Sequence, residues 1–388
     1  MATLKERLNQ MNGTGAAAPR PSLMEQIRRS RPRPSAAALA ARVGGEAEGE
    51  GLVRLDDRRP LSGTHGRFPL EKLKQGFAHP DTGRPLDPQK LVFLDLETTG
   101  LAGGTGTTAF LAGLLRLDGA ALHLQQFMMV GFGGEGALLE AVANAVEGMD
   151  AVVTFNGKTF DAPLLNTRYR MNGRGDPLGR MEHIDLLHPV RRAFSDRWVD
   201  CRLQTAERRL LGYRRVGDLP GSEAPEAWLD WVRWGEAGRL PDVMAHNRWD
   251  LISLTALLAE LAGVRQRPSA AGADPVAVAR GCLRRGDPDH ALHLLSAARE
   301  ELDPQGLLLL ASLYRRRGEW EAACPIWEKL AGQGRWEAAE ALAKYHEHQR
   351  QDPDRALEWA GRLPAGPDHE HRRARLQEKA AGLIPTSP

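Results

Sequence analysis

Apolar and polar residues follow one another in patterns that predict strands first and helices later. Residues 91–96 form a nearly uninterrupted apolar run, and residues 110–117 and 122–132 form two further β-like runs joined by Asp118 and Gly119. A short Asp-Gly connection between apolar runs is typical of a β-hairpin. The pattern therefore predicts a three-stranded antiparallel meander.

Helices alternate with strands in the next part of the chain. Two helical stretches and two short strand-like runs follow one another at about 135–146, 151–155, 162–171 and 183–187. Strands that alternate with helices pair in parallel through right-handed crossovers. With a final helical run at 241–263, the pattern predicts one α/β domain over residues 89–263, with a mixed five-stranded sheet and flanking helices.

The C-terminal part of the chain is helical and shows an internal repeat. Ala291, Ala323 and Ala356 each lie five positions after a turn residue and are 32 and 33 positions apart. A repeat near 34 residues is typical of helix-hairpin solenoids, whose units bury their apolar faces by stacking on one another. We interpret residues 275–382 as an all-α, tetratricopeptide-like region. An unrelated helical cap is the alternative. Residues 264–274 are interpreted as a linker.

The first 88 residues carry weaker patterns. Residues 1–45 contain eight Lys or Arg and two acids among Ala, Pro, Gly and Ser, a composition typical of a disordered basic arm. Such an arm either attracts a phosphate backbone or is simply a soluble terminus. Residues 46–88 are punctuated by Gly and Pro, so an irregular lead-in is expected there.

Composition excludes several classes of protein. The 388 residues are 42% hydrophobic and 26% charged with a net charge of +2, which is an ordinary globular balance that predicts no particular partner. Three distant cysteines without a CxxC pair exclude a disulfide framework and a thiolate metal site. No apolar run approaches the roughly 20 residues of a spanning helix, and the N-terminus lacks a secretory signal. We therefore expect a cytoplasmic protein without a membrane partner.

Two acidic residues stand near the end of the first strand of the meander. Asp95 and Glu97 are two positions apart, so their side chains point to the same side of a strand. Two like charges in a buried place are costly unless a cation compensates them. The pair therefore indicates a divalent metal site, and a solvent-facing strand end is the alternative.

Further candidates lie far along the chain from this pair. Asp161 follows the fourth strand at the start of a helix, where an N-cap role is the alternative. His246 and Asp250 are four positions apart in a helical run, so they share one helix face. A surface contact would explain the last pair alone, but chance seldom assembles all three features in one α/β domain.

These residues resemble the DEDD superfamily of metal-dependent 3′-to-5′ exonucleases, which has the ribonuclease-H-like fold. Residues 94–101 are similar to its first motif, residues 156–161 to its second and residues 246–250 to its third. Within the superfamily, the stretches that begin at Gly100, Phe155 and His183 are most similar to the YprB-like group of bacterial proteins, in which a tetratricopeptide-like region can follow.

The resemblance implies a two-metal nuclease site. Asp95, Glu97, Asp161 and Asp250 would hold two Mg²⁺ or Mn²⁺ ions, hard cations that prefer carboxylate oxygens. His246 would orient or deprotonate the attacking water, and a supporting hydrogen bond is its alternative role. The spacing departs from the family pattern. The histidine of the His-type branch precedes the last Asp by five positions, whereas here it precedes it by four, as in the Tyr-type branch.

Five more residues are secondary candidates. The resemblance implies that Thr98 and Thr99 reach the terminal nucleotide, although threonines after a strand also favour local backbone bonding. Asn156 and Lys158 either touch a phosphate or close the turn before Asp161. Asp185 is an outer-shell candidate near the metals, and a structural hydrogen bond is equally expected.

The expected activity is hydrolysis of phosphodiester bonds of DNA or RNA from the 3′ end. Two alternatives remain open: a catalytically weak nucleic-acid-binding or scaffold protein of the same fold, and a structure-specific endonuclease. The helical region is expected to recruit a protein partner or to shape access of the substrate.

Overall fold

The computed structural model describes residues 34–100 and 106–383, and these residues contain a mixed sheet followed by an all-α region. The strands, in chain order, are β1 (Glu46–Glu48), β2 (Leu52–Pro60), β3 (Thr64–His65), β4 (Phe68–Pro69), β5 (Phe77–Ala78), β6 (Pro85–Leu86), β7 (Leu91–Thr98), β8 (Ala109–Asp118), β9 (Ala121–Met129), β10 (Ala151–Thr154) and β11 (Glu182–Asp185). The short β3–β4 and β5–β6 pairs form two small separate sheets.

Helices flank the main sheet and form the whole C-terminal part. In the α/β part they are α1 (Ala36–Val43), α2 (Glu135–Ala145), α3 (Asp161–Met171), α4 (Leu187–Phe194), α5 (Leu203–Ala206), α6 (Ala224–Trp234) and α7 (Leu240–Gln266). The C-terminal helices are α8 (Pro275–Arg284), α9 (Pro288–Ala297), α10 (Pro304–Arg316), α11 (Trp320–Gly332), α12 (Trp336–His348), α13 (Pro353–Ala360) and α14 (Pro367–Ala380). A π-helical turn, Glu207–Leu211, continues α5.

The strand order of the main sheet places β7 and β10 side by side. The order is β1-β2-β9-β8-β7-β10-β11, with antiparallel pairing from β1 to β7 and parallel pairing of β7, β10 and β11. The predicted meander and the predicted parallel crossovers are therefore confirmed. Because parallel strands end at the same edge of a sheet, residues that follow β7, β10 and β11 come together there.

Strand β7 is buried on both faces, as its apolar run predicts. Leu91 and Phe93 belong to a core on one face of the sheet, whereas Val92, Leu94 and Leu96 belong to a second core on the other face. Side chains alternate between faces along a strand. Odd-numbered residues of β7 therefore share the face of the first core, which also contains the apolar residues of α7 from 251 onward.

In the described residues the main sheet has seven strands, not the predicted five. The additional strands come from the segment for which an irregular lead-in was predicted: β2 pairs with β9 over its full length, from Leu52 opposite Met129 to Pro60 opposite Ala121. Most of β2 is charged and half exposed, so its sequence lacks the apolar run of a central strand. It was missed because its backbone partner is about 70 residues away and leaves no local signal.

Part of the predicted basic arm is ordered in the structure. Ser35 caps α1 by accepting a hydrogen bond from the backbone N–H of Ala38 at 3.2 Å, and Leu39 is buried beneath it. The remainder of the predicted arm, residues 1–33, lies outside the described residues. The first predicted boundary, at residue 45, falls just after the end of α1 at Val43. The predicted domain boundaries remain a proposal.

The C-terminal region consists of helices that pack on their neighbours in the chain, as expected for an all-α region. Four of its helices begin with the same signal, an Asp that caps the helix with its side chain followed by Pro, at Asp274, Asp287, Asp303 and Asp352. Pro at the first helical position costs no hydrogen bond. The three repeated alanines are fully buried, which suits close helix packing. The tetratricopeptide-like assignment remains a prediction.

The helical region packs directly on the α/β part. Arg265, near the end of α7, is buried and donates hydrogen bonds to Cys282 Sγ at 3.0 Å and to Asp287 Oδ2 at 2.7 Å. Apolar residues of both parts belong to one continuous core. Helix α7 extends to Gln266, three residues beyond the predicted end, so the start of the predicted linker is helical. Among the residues described here, no helix has the length and apolar character to span a bilayer.

Candidate active site

The acidic pair of β7 faces helix α7. Asp95 and Glu97 are odd-numbered residues of β7, and Glu97 is only 8% exposed. Burial raises the pKa of both carboxyl groups well above their usual values, and neighbouring carboxylates raise it further. The predicted solvent-facing alternative for this pair is therefore wrong. The two acids lie in a place where negative charge is poorly compensated.

Asn247 of α7 anchors Asp95, and the sequence interpretation missed it. Its Nδ2 donates hydrogen bonds to Asp95 Oδ2 at 2.8 Å and to the Asp95 carbonyl oxygen at 3.1 Å, while its Oδ1 accepts one from Gln126 Nε2 at 2.8 Å. This approach needs Gly113, which lies opposite Asp95 in β8, because a Cβ there would stand 2.0 Å from Asn247 Oδ1. The glycine therefore allows the helix to contact the sheet at the site.

Asp161 is the first residue of α3, at the edge where β10 ends. The N-cap position belongs to Phe160, and no side chain caps this helix, so the predicted N-cap alternative for Asp161 is wrong. Burial and the nearby charge of Asp185 raise the pKa of Asp161 to about 7, with a smaller contribution from the charge of Asp250.

The structure brings together the four carboxylates that the sequence singled out. The charges of Asp250, Glu97 and Asp161 each raise the pKa of Asp95, and those of Asp250 and Asp161 raise the pKa of Glu97. Such mutual effects require the groups to lie near one another in a poorly solvated place. Residues from β7, α3 and α7 thus form one acidic cluster.

His246 belongs to the same cluster through Asp250. The two residues lie on one face of α7, with His246 Nε2 3.5 Å from Asp250 Oδ2. The other ring nitrogen, Nδ1, lies 2.6 Å from Asp218 Oδ1. His246 therefore stands between a carboxylate of the cluster and a carboxylate from the segment that follows the π-helical turn.

A buried ion-pair network, absent from the sequence interpretation, adjoins the cluster. The Arg215 side chain is 4% exposed and donates hydrogen bonds to both oxygens of Glu207, to Asp218 Oδ2 and to Asp250 Oδ1. The carboxylates of Asp250 and Glu207 raise the pKa of Arg215, so it stays charged. Residues 203–220 carry no motif that indicates this network. It arises because the π-helical turn and the following loop fold back onto α7.

Asp185 supports the loop between β10 and α3. Its carboxylate accepts backbone N–H bonds from Asn156 at 2.7 Å, Lys158 at 3.1 Å and Leu187 at 3.0 Å. Asn156 has a left-handed backbone with φ of 69°, a strained conformation that such contacts stabilise. The structure thus gives Asp185 the predicted structural hydrogen bonds, and its charge also acts on Asp161.

Replacing Asp185 by Ala is expected to destabilise the protein by about 2–3 kcal/mol, because it leaves backbone N–H groups without an acceptor. The loop that positions Asp161 would loosen, so cleavage activity should fall as well. Urea unfolding measures the first effect. Asp176→Ala is a control, because Asp176 accepts one backbone N–H bond, from Leu178 at 2.9 Å, beside one side-chain bond from Asn166 Nδ2 at 2.9 Å. An equal loss of stability in both variants would contradict this role of Asp185.

The four predicted substrate contacts lie close in the chain to the acids of the cluster. Thr98 Oγ1 donates to the Gly100 carbonyl oxygen at 2.9 Å, and Thr99 Oγ1 accepts the backbone N–H of Thr108 at 3.1 Å. Both threonines therefore make the local backbone bonds that were their predicted alternative. Lys158 is exposed, and its backbone N–H, like that of Asn156, helps to close the turn through Asp185.

The carboxylate cluster has the donor chemistry that hard divalent cations prefer. Within residues 34–100 and 106–383, however, no group of three or more His, Cys, Asp or Glu is already arranged around a metal-sized point. Arg215 offers one reason, because its guanidinium pairs with Asp250. The raised pKa values of Asp95 and Asp161 show that the positive charge of Arg215 does not compensate the negative charges of these two carboxylates. The donor set thus fits cations, and Asp250 would have to exchange its arginine contact.

An open cleft of about 670 Å³ lies beside the ion-pair network. It is lined by Gln204, Glu207, Arg208, Tyr213, Arg214, Arg215, Gly217, Asp218 and Pro220. Arg208 and Arg214 are exposed, so the cleft presents positive charge next to the acidic cluster. Such charge attracts acidic polymers toward a neighbouring site.

Comparisons with known proteins agree with the ribonuclease-H-like part of the resemblance. The family model RNase_H_2, of the RNase H superfamily, matches residues 92–262. The protein YprB of Bacillus subtilis (strain 168) is 32% identical over 321 residues, which cover 78% of this chain and 77% of YprB. The resemblance to ribonuclease-H-like proteins of the YprB-like group is thereby confirmed.

Among solved structures, a family B DNA polymerase from the hyperthermophilic archaeon Pyrobaculum calidifontis matches this chain. The match has a TM-score of 0.38 and 14% identity, and it covers 68% of this chain. It covers 34% of the polymerase chain, so this chain spans about a third of the polymerase's length.

Proposed function

Because this chain belongs to the family of YprB and carries a domain of the RNase H superfamily, we propose that it is a metal-dependent nuclease that hydrolyses DNA or RNA stepwise from the 3′ end. The observation that carries the proposal is the acidic cluster. Asp95, Glu97, Asp161 and Asp250 come from three distant parts of the chain, and the raised pKa values of Asp95, Glu97 and Asp161 indicate that the negative charge of these three is poorly compensated.

The four carboxylates would hold two Mg²⁺ or Mn²⁺ ions. When bound, two such ions supply an activated water and neutralise the charge that develops on the leaving 3′ oxygen. The protein's own contribution is rigidity: Asn247 holds Asp95, and Asp185 holds the loop before Asp161. Fixed donors lose no free energy to reorganisation during the reaction.

His246 would act on the attacking water. Its Nε2 atom lies on the side of Asp250, where it can orient the water or accept its proton. Thr98, Thr99, Asn156 and Lys158 are proposed to contact the terminal nucleotide. The exposed ammonium group of Lys158 suits a phosphate, and Arg208 and Arg214 of the adjacent cleft would attract the remaining strand.

An assay with end-labelled strands tests the proposal. Purified protein incubated with Mg²⁺ or Mn²⁺ and 5′-labelled DNA or RNA should yield a ladder that shortens from the 3′ end, and a 3′-phosphorothioate cap should block it. Asp242→Asn is the control, since Asp242 is an exposed acid on the first turn of α7. Cuts inside a strand with blocked ends would instead support the structure-specific endonuclease.

The Arg215–Asp250 ion pair favours a second candidate function, a nucleic-acid-binding or scaffold protein with little turnover. An arginine that keeps its hold on Asp250 would compete with the cations. Binding of labelled strands without cleavage, at any concentration of Mn²⁺, would support this second candidate and overturn the first.

The C-terminal helices and the cellular location complete the proposal. We propose that the tetratricopeptide-like region recruits a protein partner, because stacked helical hairpins present extended binding surfaces. Cys201, Cys282 and Cys324 are free thiols, which suits the proposed cytoplasmic location. A pull-down that uses the full chain and a variant with substitutions confined to exposed helix faces of residues 304–348 would test the partner.

A further inference from the structure

We propose that Asp218 is a positioning residue that fixes the tautomer and the orientation of His246, and that Glu207 and Arg215 hold Asp218 in place. The proposal rests on the proposed nuclease function, in which His246 acts on the attacking water. It assigns a role to a segment, residues 207–218, that carries no motif and lies outside the four metal-binding candidates.

The contact between the two side chains determines the tautomer. His246 Nδ1 lies 2.6 Å from Asp218 Oδ1, and both side chains are 11% exposed. An ionised carboxylate only accepts hydrogen bonds, so at 2.6 Å Nδ1 donates its proton to Asp218. Arg215 Nη1, which can only donate, lies farther from Nδ1 at 3.4 Å. In the neutral ring, Nε2 is then left with a free lone pair. That is the protonation state in which Nε2 can receive a proton.

The free nitrogen faces the acidic cluster and has space around it. Nε2 lies 3.5 Å from Asp250 Oδ2, longer than a good hydrogen bond, so Nε2 is not held as a donor to Asp250. On another side Gly221 passes close to the ring, and a Cβ at Gly221 would stand 3.5 Å from Nε2. That is an ordinary van der Waals distance, and the glycine itself places no side chain against this nitrogen.

A buried brace fixes the position of Asp218. Arg215 donates from Nη1 to Asp218 Oδ2 at 3.3 Å, and from Nε and Nη2 to the two oxygens of Glu207 at 3.0 and 2.6 Å. A two-pronged contact of this kind fixes the guanidinium plane. Glu207 also accepts a hydrogen bond from Ser253 Oγ of α7 at 2.5 Å. The brace therefore ties the loop to the helix that carries His246.

The contact with Asp218 restrains a histidine that precedes the last Asp by four positions. At that spacing His246 and Asp250 lie one turn apart on the same helix face, and an unrestrained imidazole would rotate freely beside the acid. Asp218 approaches from the loop and restrains the ring from the Nδ1 side. His246 thus has the spacing that departs from the family pattern, and Asp218, which lies outside α7, restrains its ring.

The test compares Asp218→Asn with Asp218→Glu and with the control Asp242→Asn. Asparagine keeps the size of the side chain, but its amide can donate to Nδ1 and so stabilise the opposite tautomer. We expect kcat of Asp218→Asn to fall on the order of 10²-fold, the lower end of what a positioned general base contributes, with little change in KM. Asp218→Glu should recover part of the loss, and the control should match the wild type.

A readout without activity separates positioning from a general loss of structure. Long-range ¹H–¹⁵N spectra of the metal-free protein in alkaline buffer report the tautomer of each imidazole, and His246→Gln identifies the signal. The wild type should show His246 protonated at Nδ1, and Asp218→Asn should shift it to Nε2. An unchanged tautomer, or unchanged kcat, in Asp218→Asn of an active enzyme would overturn the present proposal. Absence of cleavage by the wild type would overturn the proposed function itself.

Discussion

Replacement of Asp95 by Asn is expected to abolish cleavage and, at the same time, to make the metal-free protein more stable. Cleavage should fall about 10³-fold or more, because a bound cation contributes several kcal/mol of charge stabilisation that the neutral amide no longer supports. Stability at pH 8 should rise, because one of several crowded, poorly solvated negative charges is removed. Each unit of the raised pKa corresponds to about 1.4 kcal/mol.

Initial rates on an end-labelled strand and urea unfolding of the same preparations measure the two effects. Asp161→Asn should behave like Asp95→Asn, since burial and neighbouring acids also raise the pKa of Asp161. Asp185→Ala is the contrasting variant, because it should lower both activity and stability. If Asp95→Asn and Asp161→Asn cleaved at the rate of the wild type, the site assignment would be refuted.

The contribution of Asp161 to the stability of the metal-free protein is expected to fall as pH rises from about 4 to about 7, and divalent cations are expected to reverse this fall. Asp161 has a pKa of about 7 in the folded protein against an ordinary value of 3.8. Between these values the folded state binds more protons than the unfolded state, so the free energy of unfolding decreases with pH. The contribution of Asp161 is complete below pH 3.8 and is lost above pH 7.

The expected change from Asp161 alone is up to about 4 kcal/mol, three pKa units at about 1.4 kcal/mol each. Other carboxylates, such as Glu135 and Glu347 with their lowered pKa values, act in the opposite direction. The group is therefore isolated as the difference in unfolding free energy between the wild type and Asp161→Asn, measured by urea unfolding at several pH values.

Saturating Mg²⁺ or Mn²⁺ should raise the melting temperature of the wild type at pH 8 and have little effect at pH 5, where protons compete with the cations for the carboxylates. Asp161→Asn should lose most of the increase. The acidic cluster is not the cation site if two results are found together. The difference in unfolding free energy between the wild type and Asp161→Asn would not change with pH, and the cations would raise the melting temperature equally at both pH values.

Much of the α/β part followed from local pattern. The runs that became β7, β8 and β9 were recognisable because each is apolar, short and bounded by turn residues, and the later alternation of helices and strands required parallel pairing. Strand β2 was not recognisable, because its mostly charged sequence lacks an apolar run and its partner β9 lies about 70 residues away in the chain. The spacing of Asp95 and Glu97 indicated a metal site. The resemblance then assigned Asp161, His246 and Asp250 to the same site.

The residues that hold the site in place could not be inferred in this way. Asn247, Glu207, Arg215 and Asp218 are common residue types in segments without a motif, and each acquires its role through contacts made by the folded chain. Gly113 likewise lies in no turn and has no unusual backbone conformation. It matters because α7 approaches β8 so closely that a side chain would not fit there.

By itself the sequence determined the order of strands and helices from β7 onward and the acids that end a buried strand, since periodicity and charge act over a few neighbouring residues. Only the tertiary structure decided that β2 completes the sheet, that Arg215 pairs with Asp250 and that Asp218 restrains His246. These contacts join segments whose relative positions depend on packing of the whole core, and that packing leaves no mark within any one segment.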